Sequence, residues 1–338
     1  MIINSLLDTD YDKLLLMQLA YYNHRDTQIE YYFKNDTPGI KLPSIINIDA
    51  LDAELNHICK LKLNSEEIQW INTQGHFTPE FIKYLEDFKL CEYKLSVIDG
   101  EFDIRVSGAW TEVMLWESLI PSLINEAYYI CKYQNRAQYI TLGTQSSFEF
   151  ISKMIKYPKL SFSDLGTKVR FSGEWQKNIV DILRGISPGI SFKGTSNCLI
   201  AMKLMIPICT TNTKDINLIS DMDMDKWFEL YKHDMSIIPC LSTNILDSDY
   251  LKLWKGIRQD GEDSVKFIET MLSIYKSLGI DTNSKIIVIT ENLSADEMIA
   301  IYTKFSNQID ILFECGSILT NNVGVGLLNI KLLQHEKN

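Results

Sequence analysis

No CxxC pair occurs anywhere in the 338 residues, and the seven cysteines, Cys59, Cys91, Cys131, Cys198, Cys209, Cys240 and Cys315, are odd in number. A disulfide framework or a zinc knuckle is therefore not expected, and a reducing, cytoplasmic compartment fits. There is also no run of roughly 18 uncharged apolar residues, so no membrane span is expected. The opening residues, MIINSLLDTDYDK, carry acids early and lack a basic stretch followed by an apolar one, which argues against a secretory signal. Basic residues are in deficit: 33 Lys and Arg stand against 44 Asp and Glu, for a net charge of −11. A nucleic-acid groove needs clustered cations, so nucleic acid is not an expected partner. A small phosphorylated ligand stays compatible, because backbone N–H groups and one or two arginines suffice to hold it. Histidine is sparse, and His24, His57, His76, His233 and His335 all fall on expected helices or loops, where they read as ordinary surface or packing residues. Internal repeats and low-complexity tracts are lacking too.

What is present is an ordinary globular composition, 46% hydrophobic and 23% charged, in a chain long enough for about two domains. Up to about residue 160, strands and helices mix irregularly. Residues 27–33 (TQIEYYF) alternate like a strand. Residues 51–61 and 78–88 read as amphipathic helices, the second opening on Thr78 with Pro79 at its first position. Residues 95–106 (LSVIDGEFDIRV) hold Asp99-Gly100 between alternating runs, a hairpin signal. Residues 112–130 read as one long apolar helix at a seam between domains.

Beyond residue 160, short apolar runs alternate with helical stretches. Strands are expected at 160–164, 190–193, 236–241, 254–258, 286–290 and 311–313. Helices are expected at 173–183, 197–203, 247–254, 262–278 and 295–304. That alternation implies a mainly parallel sheet or barrel, with its chemistry at the C-terminal strand ends.

Several segments, in order, resemble nicotinate phosphoribosyltransferases. Residues 5–17 read SLLDTDxxKLxxM and 108–117 read GAWTEVMLWE. Residues 164–172 read DLGTKVRFS, close to DFGTRRRFS, and 194–197 read GTSN. Residues 256–263 (GIRQDGED) are similar to GVRQDSGD, and 313–320 (FECGSILT) to FGVGTxLT. The resemblance covers about residues 5 to 333. It implies an N-terminal α/β (α+β) domain over 1–125, with dimer and substrate-channel elements. An irregular α/β barrel of the type II phosphoribosyltransferase kind follows over 126–338, with a last strand near 327–333 returning to the first domain. It further implies a homodimer and transfer of phosphoribose from 5-phosphoribosyl 1-pyrophosphate (PRPP) with Mg²⁺ to a small acceptor, nominally nicotinate in NAD salvage.

On that resemblance Arg258 and Asp260 are the candidate catalytic residues, Arg through its planar fork on phosphate and Asp on ribose hydroxyls or Mg²⁺–pyrophosphate. Lys168, Arg170, Gly194, Thr195, Ser196, Asn197, Asp263, Gly316 and Ser317 are the candidate PRPP contacts along one rim. By themselves these residues also read as a plain turn at Gly316-Ser317, a surface Arg–Asp pair near 258–263 and a helix cap at Ser196-Asn197.

The departures concentrate in the acceptor pocket. The family's ring-stacking Tyr is replaced by Asp12, with Tyr11 turned about 100° away on a helix. The facing Phe is Leu165. The stretch that carries the family's phosphorylated histidine reads Pro207 to Lys214 with Thr213 near its place, so coupling to ATP is not expected. A family barrel Asp is Thr243. Beside the phosphate contacts, a family Gly is Glu314 and a family Ser-Gly is Gly261-Glu262. No metal-ligand cluster is read. The expected activity is phosphoribosyl transfer with an altered acceptor pocket. The alternative is a catalytically silent relative acting as a binding or regulatory partner.

Overall fold

The computed structural model describes residues 1–133, 135–209, 221–238, 248–259 and 263–336. Among these residues, nine strands form two sheets: β1 Gln28–Asn35, β2 Tyr93–Ile98, β3 Glu101–Ala109, β4 Ser161–Asp164, β5 Ser191–Thr195, β6 Gly256–Arg258, β7 Ile286–Ile289, β8 Asp310–Cys315 and β9 Ile330–Glu336. The first sheet is antiparallel, in the order β2-β3-β1-β9, and the second is parallel, in the order β5-β4-β8-β7-β6.

The antiparallel sheet follows from local chemistry. Asp99 and Gly100 both sit at positive φ, 51° and 75°, which matches the twist of a two-residue hairpin and sets β2 against β3. Burial alternates along β1 and β3, so one face packs inward and the other stays wetter. The chain's last strand, β9, completes this sheet by pairing with β1 from Ile29↔Glu336 to Asn35↔Ile330.

In the parallel sheet the helices between strands run as the apolar spacing predicts: Gly173–Ile186, Ser264–Ser277 and Ala295–Phe305. A parallel bridge from Thr195 to Ile208 carries the arc beyond β5. Of the strand expected at 236–241, residues 236–238 form a turn in which Ile237 N–H reaches Asp234 O, and the remainder lies outside the described residues. The strand expected from residue 254 starts at Gly256, because Trp254 N–H still bonds Tyr250 O as the end of the preceding helix. The single helix expected at 112–130 is two, Trp110–Val113 and Trp116–Lys132.

Both sheets pack against one continuous apolar core. At its centre lies the helix Tyr11–Asn23, whose residues from Tyr11 to Ala20 are all buried. A helix buried on every side normally lacks charge, yet this one carries Asp12 and Lys13. Just before it, the loop holding Asp8 and Asp10 docks on the parallel sheet. Arg170 Nη1 and Nη2 donate to the two oxygens of Asp8, each at 2.6 Å, and Asn197 Nδ2 donates to Asp8 at 2.8 Å. Ser196 Oγ donates to Asp10 at 2.7 Å, and Tyr11 N–H bonds Ser196 O.

Breaking a buried ion pair from one side leaves an uncompensated charge. Arg170→Met should therefore cost about 3–5 kcal/mol of folding stability, read from the denaturant midpoint. A change within about 0.5 kcal/mol, the level of ordinary surface substitutions, would show that the Asp8 pair does not hold the two halves together.

Candidate functional site

The C-terminal ends of the five parallel strands bring the sequence motifs to one edge. Asp164 pairs in register with both Cys315 and Thr195, and Arg258 with Val288. Beyond that edge lies a cavity of about 270 Å³, lined by Asn125, Leu165, Val169, Thr290, Asn292, Glu314, Gly316, Ser317, Leu327 and Leu328. Leu165, Gly316 and Ser317 thus meet in one place. Ser317 Oγ donates to Asn292 Oδ1 at 3.0 Å, and Leu165 N–H bonds Cys315 O. The turn at Gly316 opens a short helix, Ser317–Thr320.

Arg258 sits one contact away, its Nε 3.3 Å from Glu314 Oε2. The Glu314 side chain is fully buried, and among the described residues its Oε1 has no hydrogen-bond partner. Burial pushes its carboxyl up to about 8, against the opposing pull of Arg258, while the charges of Asp12 and Asp10 add to the rise. Glu314, a departure from the family pattern in sequence, is therefore part of the cavity wall.

Asp12 is buried, and among the described residues both its carboxyl oxygens lack a hydrogen-bond partner. Burial raises its carboxyl to about 6 although Lys13 lies 3.9 Å away. Tyr11 turns the other way, into the N-terminal part. Its hydroxyl bonds His76 Nδ1 at 2.7 Å, and its ring meets Trp70 and Phe77 edge-on. The helical turn thus separates the two side chains as the sequence predicts. His76 in turn pairs with Asp234, 3.3 Å from Nε2.

The cations of the third motif are not displayed as an open rim. Arg170 is buried, its two Nη atoms held by Asp8 and Gln176 and its Nε 3.9 Å from Glu126. It holds the chain together instead of facing solvent. Burial would raise Asp8, but Arg170 outweighs it and holds that carboxyl below its usual value. Lys168 is partly open, its side chain 29% exposed, and donates at 2.5 Å to Glu117 Oε1. Glu117 also receives Lys13, so one carboxylate bridges two ammonium groups.

Gly194, Thr195, Ser196 and Asn197 are likewise inside, a second correction to the expected rim. Gly194 has φ +124°, and a Cβ there would lie 2.1 Å from Pro207 O, so the position needs glycine for backbone packing. Thr195 Oγ1 donates to Asp164 at 2.7 Å. Ser196 is bound to Asp10, and Asn197 caps the helix Cys198–Leu204 while donating to Asp8. The helix-cap reading of Ser196-Asn197 holds at Asn197. Asp263 is exposed and caps Ser264–Ser277 by accepting Lys266 N–H at 2.8 Å. Asp260, Thr213, Thr243 and Cys240 lie outside the described residues.

Sequence reasoning missed Glu117, Asp164, Thr290 and Asn292. Glu117 and Asp164 stood within quoted motifs, as the last and first letters of LWE and DLGT, and were assigned no role. Thr290 and Asn292 carry no such signal, since only the fold brings the end of β7 beside Ser317.

The N-terminal domain model of nicotinate phosphoribosyltransferase matches residues 7–125, and the model of the nicotinate phosphoribosyltransferase family matches residues 160–334. The chain belongs to the nicotinate phosphoribosyltransferase family. It is 28% identical to the nicotinate phosphoribosyltransferase of Acinetobacter baumannii, over 98% of this chain and 88% of that protein. It is 28% identical to that of Ralstonia nicotianae, over 98% and 90%. Among solved structures, the nicotinate phosphoribosyltransferase of Vibrio cholerae superposes with a TM-score of 0.88 at 18% identity, covering 99% of this chain and 86% of that one. That of Porphyromonas gingivalis superposes at 0.83 and 24%, covering 98% and 89%. The two-part α/β fold of this family is thus established for the chain. Among the described residues, no helix is long and apolar enough to cross a membrane.

The raised Glu314 carboxyl has a sign that can be measured. Its folded value lies above its unfolded one, so between about pH 4.5 and 8 the folded state holds the extra proton. Its contribution to stability is present below that window and lost as pH rises through it. Glu314→Gln should flatten the fall in thermal midpoint between pH 6 and 8 relative to the parent chain. Parallel pH profiles would contradict the assignment.

Proposed function

We propose that this family member transfers the phosphoribosyl group of PRPP to a small nitrogenous acceptor and releases pyrophosphate, without ATP coupling. The observation that carries the reading is the strand-edge cavity in which Leu165, Gly316 and Ser317 meet, with Arg258 one contact behind its wall. Transfer needs the acceptor nitrogen in line with the ribose carbon as pyrophosphate departs, and a protein supplies this by positioning and electrostatics. Gly316 leaves backbone N–H groups open to a phosphate, Ser317 adds a hydroxyl, and Lys168 and Arg258 supply positive charge. Mg²⁺ enters as the counter-ion of the pyrophosphate, with Asp260 as the carboxylate nearest in sequence to Arg258. A carboxyl at Asp12 and an alkyl group at Leu165 remove two stacking faces, each worth on the order of 1 kcal/mol to a flat ring. The acceptor pocket is therefore altered from the family pattern, and nicotinate is its nominal rather than its best-fitted substrate. Thr213 near the place of the family histidine supports independence from ATP. A homodimer and a role in pyridine nucleotide salvage belong to the same proposal.

A second reading, a catalytically silent partner, is favoured by one feature. Arg258 already faces Glu314 and Arg170 already holds Asp8, so two cations expected on phosphate are engaged by acids of this chain.

Two measurements separate the readings. Pure protein given PRPP, Mg²⁺ and a panel of small nitrogen acceptors should release pyrophosphate, with no stimulation by ATP. Silence across the panel, with no calorimetric binding of PRPP at millimolar concentration, would leave the silent partner. Arg258→Ala should weaken PRPP binding by about 10- to 100-fold, the size of one hydrogen bond to a charged group. An unchanged affinity would remove Arg258 from the phosphate.

A further inference from the structure

Asn125 lines the strand-edge cavity from the helix Trp116–Lys132, and it is only 2% exposed. Its Nδ2 donates twice, to Pro121 O at 3.1 Å in its own helix and to Lys168 O at 2.8 Å in the turn facing it. Both partners are carbonyl oxygens, so the amide has one orientation: reversed, it would set Oδ1 against two acceptors. Among the described residues no group donates to Oδ1. Nor is it sealed in the core, as the unbonded oxygens of Asp12, Glu314 and Asn321 are. What Asn125 shows the cavity is therefore a fixed acceptor without a donor. The rest of the wall suits a ring better than an ion. Leu165, Val169, Leu327 and Leu328 supply apolar surface, and no Lys or Arg lines the cavity. At about 270 Å³ it is at the small end of ligand pockets, room for one small ring.

We propose that Asn125 is a specificity-determining residue of the acceptor subsite, its fixed Oδ1 receiving an N–H of a ring carboxamide in preference to a carboxylate or to a ketone of the same shape. The inference rests on the transfer reading above and deepens it. A carboxamide N–H supplies the bond that Oδ1 lacks. Asn292, whose Oδ1 accepts from Ser317, keeps its Nδ2 as a donor for the carboxamide's carbonyl. A carboxylate brings no donor, meets Oδ1 with charge of the same sign, and leaves water with no cation in the wall to receive it. A ketone keeps the carbonyl and loses only the donor. A site built to hydrogen-bond an N–H rejects the analogue that lacks it far more strongly than an apolar pocket rejects a change of size. An amide does not titrate, so the preference holds through the pH range in which Glu314 changes charge.

The test gives the full chain PRPP, Mg²⁺ and three acceptors: pyridine-3-carboxamide, pyridine-3-carboxylate and 3-acetylpyridine, in which a methyl replaces the amide nitrogen. The carboxamide should be used at least about tenfold better in kcat/KM than the ketone, the size of one hydrogen bond to a buried group, and better still than the carboxylate. In Asn125→Ala the carboxamide-to-ketone ratio should fall to within about threefold. A merely structural Asn125 would lower both acceptors alike and leave that ratio unmoved. Equal use of carboxamide and ketone by the parent chain, or preference for the carboxylate, overturns the inference while transfer itself stands. A ratio that persists in Asn125→Ala also overturns it, because another residue would then be the selector. If PRPP binds but none of the three acceptors is used, the inference fails and the transfer reading does not; if PRPP does not bind either, both fail. Should Asn125→Ala not fold, a crystal structure of the parent chain with the carboxamide decides. The amide nitrogen within hydrogen-bond reach of Asn125 Oδ1 supports the assignment, and the carboxamide seated elsewhere overturns it.

Discussion

The pairing of Asp8 with Arg170 is the contact on which the rest of the architecture depends. It joins a loop near the chain's start to the parallel sheet, and it does so in the interior with two bonds of 2.6 Å. Two charges taken out of water are tolerated only when geometry is good and remaining atoms are bonded. Here Asn197 supplies the third bond to Asp8, and Ser196 fixes the neighbouring Asp10. With the loop held there, the following helix Tyr11–Asn23 has no freedom to choose its face. Tyr11 enters the aromatic cluster of the N-terminal part, and Asp12 is left among buried charges.

That placement sets the electrostatics of the strand edge. Asp10, Asp12, Asp164 and Glu314 all lie inside, and burial lifts Asp12 and Asp164 to about 6 and Glu314 to about 8. The cations among them are not idle: Lys13 and Lys168 share Glu117, and Arg258 faces Glu314. A phosphate entering this edge must compete with the chain's own carboxylates.

Much of the fold was legible because local and global signals agreed. The Asp99-Gly100 hairpin, the capped helix after Thr78 and the alternation of strand and helix beyond residue 160 each rest on backbone preferences that the tertiary structure did not override. The helix Arg136–Met154 was not legible, because it is rich in Ser, Thr and β-branched residues. Thr141, Thr144 and Ser147 satisfy their hydroxyls on carbonyls four residues back, within the helix itself. Ser65–Thr73 is short and polar, held by a capping box between Asn64 and Glu67. The site was legible in its residue types but not in its geometry. Arg170 reads as a phosphate ligand from its motif, and only the fold reveals that its partner lies 162 positions away. Glu314 reads as a damaged loop, and only the fold shows it buried against Arg258 beside the cavity.

The central claim is that the strand edge around Arg258, Gly316 and Ser317 receives the phosphates of PRPP. A crystal structure of the full chain grown with PRPP and Mg²⁺ tests it most directly. The account predicts phosphate oxygens within hydrogen-bond reach of the Arg258 guanidinium and Ser317 Oγ, with the Glu314 carboxyl moved off Arg258. An unchanged Arg258–Glu314 contact with no PRPP at this edge, or PRPP bound elsewhere in the chain, would contradict it.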